Sequence, residues 1–263
     1  MDKFKWSGSD QTHLDEPTTV SVDRAIIGLY GGCTSSGAYK NEDGALVWVG
    51  PDWVFAGVLD AHGGTQSTDL VLSIIEEHEA RLLAILGGYE ASDFQRFQSV
   101  LVEILGTGSG RERMAQVQGE TAGLFVFQRG QFLSWVSLGD NSLYWLHPQL
   151  ARLGQYALTV RNFYEWTGQR DSLSLAVPCY SSGIRELRQG EQVIALATDG
   201  LLEFGERPYE APGAFSQALL ASPDLEASLR QMLVEAHKSG AADSATVVAW
   251  RTNSAEQGLE PTA

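Results

Sequence analysis

Residues 44–64 read GALVWVGPDWVFAGVLDAHGG. Two apolar runs, 44–49 and 53–60, flank Gly50-Pro51-Asp52, a trio that favours turns, so the stretch predicts two strands folded back on each other. The second run carries Asp60 to its mouth and follows it with Ala61, His62 and two glycines. Burying an unpaired carboxylate costs several kcal/mol, so Asp60 demands a cation, a donor or a metal beside it.

The pattern continues on both sides. Upstream, RAIIGLYGG (24–32) reads as a strand, and residues 1–20 are polar enough to be loosely held. Downstream, residues 67–88 place Leu70, Ile74, Ile75, His78, Leu82 and Ile85 on one helical face, with Gly87-Gly88 as the stop. A second helix is expected over 92–106, with Ser92 as its N-cap. Residues 121–146 predict a hairpin turning at Arg129-Gly130 and a third strand after Gly139-Asp140-Asn141. QVIALATDG (192–200) is a strand ending in an acid, 225–240 a helix capped by Gly240, and DSATVVAW (243–250) a strand opened by an acid. Grouped strands with inserted pairs of helices favour an α+β fold of antiparallel sheets covered by helices over a doubly wound βαβ sheet. One domain over residues 1–252 is expected, with 253–263 a disordered tail that has little to bury.

Composition narrows the function. With 33 acids against 18 bases, the formal net charge is −15, and no segment clusters enough Lys and Arg for a nucleic-acid groove or an anionic membrane. Cys33 and Cys179 form no C-x-x-C, and the five histidines show neither H-x-H nor H-E-x-x-H spacing, which argues against a disulfide framework and a histidine-bound zinc. No apolar run approaches 18 residues and MDKFKWSGSD has no h-region, so the expected setting is soluble, reducing and cytoplasmic.

Asp60, Asp199 and Asp243 share one feature: each sits at an end of a strongly apolar strand, and Glu42 and Asp43 stand where another begins. Carboxylates gathered without basic partners repel one another unless divalent cations lie among them, and oxygen-only ligation points to Mg²⁺ or Mn²⁺. Asp before Gly is also a common turn pair, so LGD, TDG and LDAHG each admit a turn reading alone.

Their order carries a resemblance. NEDG (41–44), VLDAHGG (58–64), GETA (119–122), LGDNS (138–142), ATDGLLE (197–203) and DSATVV (243–248) follow one another as in the metal-dependent serine/threonine protein phosphatases of type 2C. The resemblance implies two packed antiparallel sheets flanked by helices, with two Mn²⁺ or Mg²⁺ ions in a cleft at the strand ends. Asp60 would bridge both ions, Asp199 and Asp243 would complete the first, and the Ala61 carbonyl with Glu42 would hold the second. Asp43 would orient water on the ions, and His62 would be the general acid. The implied reaction is hydrolysis of phosphoserine or phosphothreonine in a phosphorylated protein substrate by attack of a metal-bridging hydroxide.

Four departures mark this chain. The family's D-G-H reads Asp60-Ala61-His62, so Ala61 is expected to have negative φ. The family usually places an arginine shortly before this stretch, and SSGAYKNED (35–43) has none, leaving Lys40 as the nearest cation for a phosphate, a point charge rather than a bidentate fork. Gln116 stands near the acid that supports a third ion in many relatives, so a third ion is not expected. In the segment between GDNS and ATDG, at least two of Phe163, Tyr164 and Trp166 are expected in the core. The alternatives are a phosphatase-like binding or regulatory module with weak or no catalysis, favoured by the missing arginine, and a phosphatase for small molecules. Physiological substrate and oligomeric state are not encoded in any motif.

Overall fold

A computed structural model describes residues 1–260 of the chain. In chain order the strands are β1 (Asp2–Ser7), β2 (Thr18–Val22), β3 (Ala25–Tyr30), β4 (Gly44–Val49), β5 (Trp53–His62), β6 (Glu120–Arg129), β7 (Phe132–Leu138), β8 (Ser142–Leu146), β9 (Thr167–Gly168), β10 (Ser181–Glu186), β11 (Gly190–Ala197) and β12 (Ala245–Ser254). The helices are α1 (Gln66–Glu77), α2 (Glu79–Leu86), α3 (Asp93–Gly106), α4 (Gly108–Met114), α5 (Pro148–Ala151), α6 (Gly200–Glu203), α7 (Pro212–Leu219) and α8 (Leu225–Lys238). One sheet runs β1-β4-β5-β6-β7-β10 with β9 beside β6, and the other runs β2-β3-β12-β11-β8. Their pairings are antiparallel.

The opening hairpin shows why the apolar runs are continuous. Side chains alternate across a pleated strand, so each run feeds two cores at once. Leu46, Trp48, Phe55 and Leu59 face the helices α1–α4, with Val71, Ile74, Phe97 and Leu101 against them. Their neighbours Val47, Val49, Val54, Ala56 and Val58 face inward and meet Ile27, Leu29, Ile194, Leu196, Val248 and Trp250 of the other sheet. That sheet's far face, with Val193, Ala195, Val247 and Ala249, is covered by Phe215, Leu229, Met232 and Leu233 of α7 and α8. Three apolar layers therefore separate helices, sheet, sheet and helices. The expected two-sheet α+β architecture is the one observed.

Several local expectations are corrected. The N-terminal residues are not loosely held: β1 pairs with β4 along its whole length and Trp6 is buried. The helix expected over 67–88 is divided at His78, where the backbone leaves helical geometry (φ −102°, ψ 14°) and both the N–H and Nδ1 donate to the Ile74 carbonyl, at 3.1 and 2.9 Å. Ser92 holds the N-cap position as expected but makes no side-chain capping bond; the neighbouring Asp93 carboxylate accepts from the Glu90 N–H at 3.0 Å. The helix α4 forms where none was expected. The third strand after Asn141 does form, but β8 joins the opposite sheet, on the edge of β11. Past residue 252, β12 continues through Ser254, and the Leu259 N–H donates to Glu186 at 2.8 Å; residues 261–263 of the expected tail lie outside the described residues. Among the described residues no helix is long and apolar enough to cross a membrane.

Candidate active site

The hydrophobic layers carry the acids to one rim of the sandwich, where the sheets meet. Asp60 belongs to β5 in the first sheet, Asp199 follows β11 and Asp243 precedes β12 in the second. Glu42 and Asp43 enter from the loop before β4. Asn41 sets that loop: its side-chain amide donates to the Thr12 carbonyl at 3.0 Å, and its Oδ1 accepts from the Asp43 N–H at 3.0 Å. This is the local turn that Asn forms readily. Thr68, near the start of α1, donates to the Glu42 carbonyl at 3.0 Å.

The second sheet is tied to the first through Asp43. Its two carboxylate oxygens accept from Ser244 at 2.8 Å and Thr198 at 3.0 Å, and the same Thr198 hydroxyl accepts from the Thr246 N–H at 2.9 Å. Gly200 permits the close approach. A Cβ there would lie 1.8 Å from the Ser244 carbonyl oxygen, so any side chain would force the two acid-bearing loops apart. Past Asp60, Ala61 keeps the extended geometry of β5 without positive φ, as expected; the left-handed turn falls at Gly63 (φ 88°) and Gly64 (φ 130°). His62 ends β5 on the exposed rim, opposite Glu120 of β6.

The electrostatics of the rim are those of crowded, dehydrated carboxyls. Burial, then Asp43, Asp199 and Asp243, hold Asp60 well above its ordinary range. Burial pushes the fully enclosed Asp43 up to about 7, against its hydrogen bonds. Burial, with Asp140 and Asp243, raises Asp199 to about 6. Asp243 presents accessible surface at the mouth, yet the protein around it withholds enough water to push its carboxyl up too. Glu42 is buried with Oε1 unpartnered, while Oε2 meets the Lys40 ammonium. Lys40 is thus placed beside a candidate ligand rather than free in solution. A cavity of about 90 Å³ opens between Lys40, Glu42, Asp243 and Ser244. A larger hollow of about 790 Å³ beside His147 has Glu191 as its one acid.

This donor set fits divalent cations. Mutual repulsion, an orphaned buried Glu42 oxygen and oxygen-only donors are what hard ions relieve.

Reading the sequence alone passed over Arg161. Its guanidinium lies 2.6 Å from Glu203, 3.3 Å from Asp199 and 3.6 Å from Asp140, and its Nε donates to the Asp140 carbonyl at 3.2 Å. No sequence signal marks it, because it comes from an irregular segment. Thr198 and Ser244 were findable, as hydroxyls flanking an acid at the end of an apolar strand. The core expectation for the aromatics is overturned: Phe163 is 56% and Tyr164 87% exposed, with Phe163 under Arg161 and only Trp166 half-buried. Their segment spans the open rim rather than an interior, so burial has nothing to pack them against.

No protein-family model matches the sequence, and no curated protein matches it. Solved structures do. The S. agalactiae serine/threonine phosphatase superposes with a TM-score of 0.61 at 16% identity, over 87% of this chain and 99% of that one. The catalytic domain of the serine threonine protein phosphatase PstP, in complex with 2 manganese ions, gives 0.62 at 18% identity, over 88% and 98%. PppA, a regulatory component of T6SS in Pseudomonas aeruginosa, gives 0.61 at 19% identity, over 89% and 100%. Across nearly its whole length, this chain has the fold of the bacterial type 2C serine/threonine phosphatases.

Proposed function

We propose that the chain is a metal-dependent phosphatase acting on phosphoserine and phosphothreonine in proteins. The observation that carries this reading is the convergence of Asp60, Asp199, Asp243, Glu42 and Asp43 from both sheets onto one open rim, where burial and neighbouring charge raise the carboxyls of Asp43, Asp60, Asp199 and Asp243. Asp60, Asp199, Asp243, Glu42 and the Ala61 carbonyl would hold two Mn²⁺ or Mg²⁺ ions. When bound, such ions supply Lewis acidity to water and to the phosphate oxygens.

The chain's own groups do the rest. Asp43, gripped by Thr198 and Ser244, presents a fixed acceptor to water at the rim. His62 is exposed at the end of β5 and, in its protonated form, can donate to the leaving serine or threonine oxygen. Lys40 pairs with Glu42 in this structure; with a cation held by Glu42, its ammonium would be available to a phosphate. The exposed Phe163 and Tyr164 beside Arg161 offer apolar contact to a protein surface, which favours a phosphoprotein over a small molecule.

One observation favours a second reading. Arg161 already sits 3.3 Å from Asp199, where it would compete with a cation, so a phosphatase-like module with little metal affinity is also built from these contacts. Hydrolysis of p-nitrophenyl phosphate and a phosphothreonine peptide, with Mn²⁺, Mg²⁺ or chelator, separates the two. Turnover that chelator and Asp199→Asn both abolish is the expected result. A folded, metal-loaded protein with no turnover on either substrate would overturn the enzyme reading.

A further inference from the structure

Away from the acidic rim, a second group of ligating side chains comes together from three elements. Asp15 lies in the loop between β1 and β2, Cys33 just after β3, and His237 in the last turn of α8. One carboxylate oxygen, the Cys33 sulfur and one imidazole nitrogen all lie within 4.8 Å of one another. Cys33 is buried, His237 half-buried and Asp15 exposed, so the group is closed on the protein side and open to water on the other.

Backbone contacts hold the three in place independently of their side chains. The Asp15 N–H donates to the Gly32 carbonyl at 3.0 Å, and the Cys33 N–H donates to the Ala241 carbonyl at 2.7 Å. Each side chain also has an outer partner. Both Asp15 oxygens accept from Thr34, through its N–H at 2.8 Å and its hydroxyl at 2.5 Å, and these bonds hold the carboxyl below its usual range. The Tyr30 hydroxyl lies 3.1 Å from His237 Nδ1, and Ser35 Oγ lies 3.1 Å from the Cys33 sulfur. Ligating histidines and carboxylates are typically oriented by such neighbours.

We propose that Asp15, Cys33 and His237 form a zinc site, with water as the fourth ligand, separate from the acidic rim. The chemistry selects the ion. A thiolate with an imidazole suits Zn²⁺ and is a poor match for Mg²⁺ or Mn²⁺, whereas the rim offers oxygen alone. Tetrahedral zinc, with bonds of about 2.0–2.3 Å, sets its ligands about 3.3–3.6 Å apart, so atoms that lie within 4.8 Å of one another need to close by no more than roughly 1.5 Å. Side-chain rotation at the exposed Asp15 and half-buried His237 supplies that movement. Binding releases the Cys33 thiol proton to solvent as the sulfur–zinc bond forms.

The site has a structural consequence at the rim. Zinc would clip the segment leading to Lys40 and Glu42 onto the turn after α8, and Asp243 lies two residues beyond Ala241, the partner of Cys33.

Cobalt(II) is the probe, since a cobalt–thiolate bond gives a near-ultraviolet charge-transfer band that oxygen ligands do not. Titration of the chelator-stripped full chain should produce this band at one equivalent, and zinc should bleach it. The band should survive Asp199→Asn and Cys179→Ser and vanish in Cys33→Ser. Asp15→Asn and His237→Gln should each weaken zinc binding at least roughly 10-fold, the loss seen even for outer-sphere changes. A wild type without the band, or Cys33→Ser that keeps it, would overturn the proposal. Should Cys33→Ser fail to fold by circular dichroism, the wild-type band and the exposed Asp15→Asn variant still decide: zinc affinity unchanged in Asp15→Asn refutes the site.

Discussion

Replacing Asp43 by asparagine in the metal-free protein should raise its stability at pH 8 and leave it nearly unchanged or lower at pH 4. Asp43 is fully enclosed and its carboxyl titrates at about 7, against 3.8 as an ordinary aspartate. Below pH 3.8 both folded and unfolded chains hold the proton and the carboxyl costs nothing. Between 3.8 and 7 the folded chain holds a proton that the unfolded chain has released, so stability falls as pH rises; above 7 the full cost is present. That cost is roughly 4 kcal/mol for a displacement of this size. Asparagine removes it but weakens the bonds from Ser244 and Thr198, at about 1 kcal/mol each, leaving a gain of about 2 kcal/mol. For a chain of this size that is roughly 4–8 °C in Tm. Thermal melts of both proteins in chelator at pH 4, 6 and 8 would show the difference growing with pH, and saturating Mn²⁺ should shrink it. Equal destabilisation at all three pH values would refute the claim that burial and neighbouring charge dominate this carboxyl.

Arg161→Met should tighten Mn²⁺ binding by roughly 5- to 30-fold in calorimetry, because the guanidinium competes for Asp199 in a half-buried pair worth about 1–2 kcal/mol. Arg129→Leu should cost about 3 kcal/mol in urea unfolding: Arg96 stays on Asp93 at 3.0 Å, but the carbonyls of Ile85, Gly88 and Glu90 lose the guanidinium that serves them. Gly200→Ala should lower both Tm and Mn²⁺ affinity, since its Cβ meets backbone at Ser244 rather than a side chain that can rotate away. Phe97→Ala, which empties a fully buried ring position between Phe55 and Phe127, should cost about 3–5 kcal/mol without changing Mn²⁺ affinity.

The sequence by itself determined the layers. Unbroken apolar runs in 44–49 and 53–59 commit two strands to burial on both faces, and Gly50-Pro51-Asp52 leaves an antiparallel return as the short connection. It also determined which strand ends carry acids, because a carboxylate beside an apolar run stands out against its surroundings. Other features depend on contacts between residues remote in the chain. The destination of β8 depends on the open edge of β11, some 50 residues further on in the chain. Arg161 is one more arginine in a polar segment until folding sets Asp140, Asp199 and Glu203 around it, and Cys33, a solitary cysteine in the sequence, gains partners only when the β1–β2 loop and the end of α8 reach it. Periodicity is a local property that the chain carries in its order of residues; charge pairing and ligand geometry are distances, and only the tertiary structure supplies those.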